Sequence, residues 1–263
     1  MQNSKQPYRV LLSFDLEEFD IPNEYGATLA TEEQLEVTGK GMNDLLPVLN
    51  QLQIPVTFFT TAFYAQQNTA LIKALAATHE IASHTFYHSR FTDADILSSR
   101  QVLSDISGQN IAGFRMPRLA PISKQLIADA GYLYDASLNP TWLPGRYNYL
   151  NQPRTVFRKN QLWILPSSVT PQLRIPLFWL AFKNLPLWFI KQCSLLTLKK
   201  DGYLSLYFHP WEYADLSSYT NMPFYTRSIS GHKQLSKLTS YLSWLKTLGV
   251  FTTMESFIKM QKV

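Results

Sequence analysis

Val10-Leu11-Leu12-Ser13-Phe14-Asp15-Leu16-Glu17-Glu18 is an apolar strand that runs straight into carboxylates. A second such run, Leu204-Ser205-Leu206-Tyr207-Phe208-His209, ends in an imidazole. Between the two lies Ser83-His84-Thr85-Phe86-Tyr87-His88, a histidine pair at the end of another short strand. β-rich runs of this kind alternate with helical segments along the chain. Strands are expected at 10–15, 54–61, 80–84, 111–116, 131–136, 162–168, 203–209 and 249–254. Helices are expected at about 31–52, 68–77, 92–107, 123–130, 175–199 and 231–248, the third supported by Thr92 and Asp95 at capping-box spacing. The alternation predicts parallel strands joined by crossover helices. The expected fold class is therefore α/β, a single irregular (β/α) barrel of seven or eight parallel strands, with one domain over residues 1–263.

Placement carries the functional argument. Asp15, Glu17, His84, Arg115, Asp135 and His209 all fall at the C-terminal ends of expected strands, and in a parallel barrel those ends gather on one face. Neutral imidazole and carboxylate are the usual ligands of a catalytic zinc-like cation. A cation held by His84, His88 and one carboxylate would acidify the water it binds and polarise a carbonyl. Asp15 and Glu17 alternate along the strand, so both can face one cavity, one as ligand and the other as base. His209 suits a general acid for a departing amine.

Each residue also has an ordinary reading. Asp15 alone fits a cap, His209 alone a satisfied core histidine, and Arg115 with Asp135 a buried ion pair. On a helix the pair His84 and His88 would fit a zincin, but Thr85 stands where that motif needs glutamate. It is the combination in barrel order that favours a site.

The chain has 263 residues, 46% hydrophobic and 16% charged, which allows a sizeable core. There is no linker, repeat or low-complexity tract. The single cysteine, Cys193, excludes an intramolecular disulfide framework and a thiolate cluster, and fits a reducing compartment. Residues 1–9 do not read as a secretory leader, so a cytoplasmic location is expected, with peripheral contact at the inner face of the membrane as its variant. The net charge is +5, and the interval between Asp135 and Asp201 holds nine cations but no acid. That asymmetry suggests lipid headgroups or a phosphate-linked substrate, or else a plain solvated face; no nucleic-acid motif accompanies it. Residues 175–199 are rich in Leu, Phe and Trp but interrupted by Lys183, Pro186 and Lys191, so they should not span a bilayer. Phe178, Trp179, Phe182, Trp188 and Phe189 bury against the barrel or, with the flanking lysines, rest at a membrane interface.

At these residues the sequence resembles the polysaccharide deacetylases of the NodB-homology type, carbohydrate esterase family four, over about Val10 to Phe257. His84-Thr85-Phe86-Tyr87-His88 is similar to the family's His-(Ser/Thr)-x-x-His metal motif. Phe114-Arg115-Met116-Pro117-Arg118 resembles the motif whose arginine steadies the base, and Tyr134-Asp135-Ala136-Ser137 the one whose aspartate tunes the acid histidine. Leu206-Tyr207-Phe208-His209 is similar to the motif that carries that acid. The first motif departs from the family's paired aspartates: Asp15-Leu16-Glu17 resembles a divergent Asp-x-(Asp/Glu) version. The resemblance implies a NodB-type barrel with Asp15 as base and His209 as acid, supported by Arg115 and Asp135. It implies metal ligands Glu17, His84 and His88, with Glu18 as the substitute for Glu17, and zinc as the metal, with nickel or cobalt as alternatives. Trp211, Arg118 and Pro117 are expected to bind substrate.

His209-Pro210-Trp211-Glu212 is similar to deacetylases of exopolysaccharide and lipopolysaccharide assembly, which implies an N-acetylated glycan or a lipid-linked sugar as substrate. Two other functions stand beside this one: a related barrel amidohydrolase acting on a small amide, and an inactive relative that binds glycan or membrane surface. His79 and His232 are read as structural or exposed.

Overall fold

The structure is a computed structural model, which describes residues 7–261. Eleven strands form: β1 (Tyr8–Leu16), β2 (Thr57–Thr60), β3 (Glu80–Ser83), β4 (Gly113–Phe114), β5 (Tyr134–Asp135), β6 (Trp142–Leu143), β7 (Tyr147–Asn148), β8 (Phe157–Lys159), β9 (Leu162–Ile164), β10 (Tyr203–Phe208) and β11 (Gly249–Phe251). Nine of them make one curled sheet in the order β10-β1-β2-β3-β4-β5-β9-β8, with β11 also on β1. Every ladder in it is parallel except β8 with β9. The sheet does not close by a ladder between β9 and β10. There Ser168 N–H donates to the Ser205 carbonyl at 2.8 Å, and Ser205 N–H to the Ser168 hydroxyl at 2.9 Å. All eight expected strands are present. The antiparallel edge β8 and the separate β6–β7 hairpin are additions.

The helices are α1 (Thr31–Leu52), α2 (Ala62–Gln67), α3 (Thr69–Ala76), α4 (Ala94–Ser107), α5 (Lys124–Asp129), α6 (Trp179–Asn184), α7 (Leu187–Asp201), α8 (Phe224–Arg227), α9 (Gly231–Lys246) and α10 (Met254–Lys259). The expected 175–199 helix is divided at Pro186, which lacks the N–H a continuous helix requires and caps α7 instead. Its first residues are not helical: Pro176 bridges Val169. The short α2, α8 and α10 were not expected, and α10 begins at Met254, the end of the expected last strand. No helix among the described residues is long and apolar enough to cross a membrane.

The two-residue period of β1 sorts its side chains. Val10, Leu12, Phe14 and Leu16 join the layer between sheet and helices. Leu11 packs with Phe59, Ala82 and Tyr134 inside the curl, and Ser13, Asp15 and Glu17 continue that inner face. The acids thus emerge on the concave side because the strand is apolar on both faces until its last residues.

Four of the nine cations of the 135–201 interval are engaged by the fold. Arg154 pairs with Asp201, Arg146 with Glu24 at 3.0 Å, and Lys183 is buried against Glu212 at 3.6 Å. Arg174 donates to the Pro140 and Gln152 carbonyls. Acids from distant segments thus compensate three of the nine, while Arg158, Lys159, Lys199 and Lys200 stay exposed.

Helix α1 presses on the 3-10 turn Pro210–Tyr213, which follows the β10 histidine. A Cβ added at Gly41 would meet the Pro210 carbonyl oxygen at 1.9 Å, whereas one at Gly39 meets nothing within 4 Å. The two glycines should respond with opposite signs. Gly41→Ala is expected to lose about 2 kcal/mol by overpacking, while Gly39→Ala gains up to about 1 kcal/mol from helix propensity. Urea unfolding of both variants checks this, and a neutral Gly41→Ala contradicts the close approach.

Candidate active site

The ends of β1, β3, β4 and β10 meet around a cavity of about 220 Å³ lined by Asp15, Glu17, His84, His88, Arg118 and His209, among others. Glu17 is at its base, 2% exposed, and its Oε2 lies 3.0 Å from His84 Nε2 and 3.1 Å from His88 Nε2. The chain between the histidines turns sharply at Thr85, a β-branched residue held at φ 63°. Its hydroxyl donates to the Tyr87 carbonyl at 2.9 Å, and its carbonyl accepts from Ala62 at 3.0 Å. The result is two imidazoles stacked 5.6 Å apart and aimed the same way.

The other nitrogen of each ring is already committed. His84 Nδ1 lies 2.8 Å from the Arg115 carbonyl, and His88 Nδ1 lies 2.7 Å from Asp20 Oδ1. A carbonyl or carboxylate oxygen only accepts, so both Nδ1 atoms carry hydrogen and both neutral rings would aim an Nε2 lone pair at the Glu17 carboxylate. Such an arrangement is stable only with positive charge among the three groups. A protonated ring or a divalent cation would supply it, and imidazoles anchored through Nδ1 are the usual support for metal ligation. Glu17, His84 and His88 bring their donor atoms within 4.8 Å of one another, so the residues present fit a cation. The same crowding shows in their acidities. Burial pulls His88 down, but the carboxylates of Glu17 and Asp20 outweigh it and raise the ring to about 9. Burial pushes Glu17 up, yet His88, His209 and His84 together hold it well below the usual carboxylate range.

Asp15 stands beside this group. Its Oδ1 accepts from the buried Arg115 guanidinium, which also lies 3.9 Å over the Phe59 ring. Its Oδ2 is 4.0 Å from His84 Nε2 and 3.8 Å from His209 Nε2. One oxygen is thus anchored while the other faces the cavity. Burial lowers His209, but Glu17, Glu212 and Asp15 raise it above the ordinary histidine value.

Several supporting roles differ from expectation. Asp135 does not pair with His209: its carboxylate accepts from Ser137 and pairs with Lys124 at 2.5 Å, because the short β5 ends with that side chain toward α5. The histidine is held by Glu212, whose Oε1 accepts from His209 N–H at 2.9 Å and lies 3.3 Å from Nδ1. Arg115, by contrast, pairs with Asp15 as the resemblance implies, and the ordinary reading of a buried Arg115–Asp135 ion pair does not hold. Trp211 is 1% exposed and away from the cavity wall; it stacks on His209 at 4.6 Å and donates to Glu17 Oε1 at 3.1 Å. Its place is under the site, not in contact with substrate. Pro117 is buried and does not line the cavity, whereas Arg118 does. Glu18 turns away and accepts from the Thr61 hydroxyl at 2.6 Å, leaving Glu17 to face the imidazoles. His79 is buried edge-on to Phe58, and His232 is exposed.

Asp20 and Glu212 escaped the sequence reading. For Glu212 a signal existed, since His209-x-x-Glu212 has capping-box spacing; Asp20 lies in irregular chain and had none.

The concave parallel sheet thus carries Asp15, His209 and the Glu17/His84/His88 group together at one rim. Residues 37–134 match the polysaccharide deacetylase family model. A structure from Mycobacterium smegmatis assigned as a polysaccharide deacetylase superposes with TM-score 0.66 at 16% identity, covering 98% of this chain and 92% of that one. The allantoinase PuuE superposes at 0.63 with 17% identity, covering 97% and 93%. A pseudoenzyme of carbohydrate esterase family 4 from Bacillus anthracis superposes at 0.53 with 12% identity, covering 100% of this chain and 68% of that one. At these identities the likeness is one of fold. No curated protein matches the chain in sequence. The resemblance read from the motifs is borne out at the level of segment and fold: residues 37–134 match the polysaccharide deacetylase model, and the sheet is of the NodB type.

Proposed function

We propose that the chain is a metal-dependent N-deacetylase of an amino sugar, with Asp15 as base and His209 as acid. The observation that carries this reading is the opposition of Asp15 Oδ2 and His209 Nε2 at 3.8 Å beside the Glu17/His84/His88 group. A divalent cation held by Glu17, His84 and His88, most simply zinc, would supply Lewis acidity toward an acetamide carbonyl. The chain's own residues do the rest. Asp15 Oδ2 takes a proton from the attacking water, and Arg115 keeps the carboxylate turned toward it. The acetamide C–N bond breaks as His209 Nε2 gives its proton to the sugar nitrogen, and acetate and free amine leave. Trp211 fixes Glu17, and Asp20 fixes His88.

The mouth of the cavity supports a substrate presented at a membrane. Leu143, Leu180 and Tyr225 line the opening. Beside them Trp142 is 59% exposed, Leu173 79% and Phe224 74%. The pieces are tied together: the Thr141 hydroxyl donates to the Arg174 carbonyl at 2.7 Å, and Asn184 donates to the Tyr225 carbonyl at 2.9 Å. The side chains of Arg174 and Arg227 flank this rim and bond only to backbone carbonyls. Exposed aromatic and leucine side chains with adjacent cations that no acid neutralises suit an anionic bilayer interface. Of the aromatics in 175–199, Trp188 joins this exposed set, while Phe178 and Phe182 are buried. The substrate is accordingly an N-acetylated sugar on a lipid carrier of a bacterial surface glycan, met from the inner face of the membrane.

Asp15→Asn should lower acetate release from N-acetyl sugar substrates by about 10²- to 10⁴-fold, the range of a lost general base; retained turnover overturns the assignment. In flotation with vesicles containing anionic lipid, the wild-type chain should rise with the lipid and Trp142→Ser/Phe224→Ser should stay behind. Equal behaviour of the two removes the membrane element.

A further inference from the structure

Lys183 is unexplained by the cavity, the cation group or the hydrolytic pair, yet it is 0% exposed. It lies on α6, and its Nζ is 3.6 Å from Glu212 Oε2 and 5.9 and 6.0 Å from the Trp179 and Trp211 ring centres. Burying an ammonium costs several kcal/mol, and a buried ion pair rarely returns that as stability, since an apolar pair of similar volume often does as well. The lysine must therefore be sought in a contact that an apolar side chain would not make.

That contact is the ordering of Glu212. One of its oxygens, Oε1, accepts from His209 N–H and faces Nδ1 of the same residue. The other, Oε2, faces Lys183 and accepts from Gln234 of α9 at 3.2 Å. Glu212 itself is 0% exposed, so it has no water to turn toward. The backbone of α6 is held in turn: Lys237 of α9 donates to the carbonyls of Phe182 at 2.6 Å and Leu185 at 2.8 Å. Oε2 is thus held by the Gln234 hydrogen bond and the Lys183 counter-charge at 3.6 Å, which leaves Oε1 facing the histidine.

We propose that Lys183 is a positioning residue for the reaction: through Glu212 it fixes the His209 ring with Nδ1 toward the protein interior and Nε2 toward Asp15 and the cavity. This rests on the reading of His209 as the acid that protonates the departing amine. Without Lys183, Glu212 keeps only Gln234 on Oε2, and the rotations of Glu212 and His209 are no longer coupled to α6. The acid would then be lost without loss of the base or of the Glu17/His84/His88 group.

The test compares two acetyl substrates on the full, zinc-supplemented chain. An N-acetylglucosamine oligomer needs its leaving amine protonated, whereas 4-nitrophenyl acetate leaves as a stable phenolate and does not. Lys183→Met and Glu212→Gln should each lower kcat on the oligomer by about 10²-fold, at the low end of general-acid contributions. KM should stay within about twofold, and ester turnover should fall by less than about threefold. The double variant should be no worse than Glu212→Gln alone, because the two act in series. A parallel fall on both substrates would show a merely structural role, and an unchanged oligomer rate would remove any role; either overturns the proposal. If the wild-type chain releases acetate from neither substrate, the functional reading fails instead. Crystal structures of wild type and Lys183→Met then decide the positioning claim: separation of Glu212 from His209 Nδ1 in the variant supports it, and an unmoved pair overturns it.

Discussion

Glu17 is the constraint on which the rest of the site depends. It is a carboxylate withdrawn from water and faced by two imidazoles whose remaining nitrogens are already bonded. Burying it without compensation would cost several kcal/mol. The surrounding chain is arranged to keep it there. Thr38 of α1 donates to the Glu17 carbonyl at 2.7 Å, Trp211 donates to the side chain, and the strained Thr85 turn brings up both histidines. Strain and buried charge in one place, supported from four directions, mark a functional site better than either does alone.

Around that centre two ionisable groups are given different environments. Asp15 has Arg115 at one oxygen and the cavity at the other. His209 sits between a stacked tryptophan and three carboxylate neighbours, Asp15, Glu17 and Glu212, with burial opposing its charge and Glu17 favouring it. A carboxylate anchored by a guanidinium thus faces an imidazole whose carboxylate neighbours favour its charge, the complementary pairing a hydrolytic cycle needs. The allantoinase and the pseudoenzyme that share this fold show that the barrel does not dictate the chemistry. What favours the proposed activity is that Asp15, His209 and the Glu17/His84/His88 group stand together in this chain.

Much of this was legible in the sequence, for a physical reason. Strand ends are marked where an apolar run meets its first polar residues, so Asp15, Glu17, His84 and His209 could be assigned to one face before any coordinates existed. The supporting residues were not marked in that way. Asp20 lies in irregular chain beyond β1, and Lys183 sits in an apolar helical stretch where a lysine reads as an interruption. Trp211 looked like a sugar platform because its side chain direction depends on the turn at Pro210, which sequence periodicity does not report. The hairpin of β6 and β7 was signalled only by Pro144-Gly145, with Gly145 at φ 77°. Asp135 was misplaced in role because a two-residue strand is too short for period to say where its side chain faces.

The most direct test of the account is the metal content of the purified chain after incubation with zinc or cobalt, measured beside Glu17→Gln. Near-stoichiometric metal in the wild type, lost in the variant, is the predicted result. A wild type that takes up no metal, or a Glu17→Gln chain that holds as much as the wild type, would contradict the assignment of Glu17, His84 and His88 as the cation site.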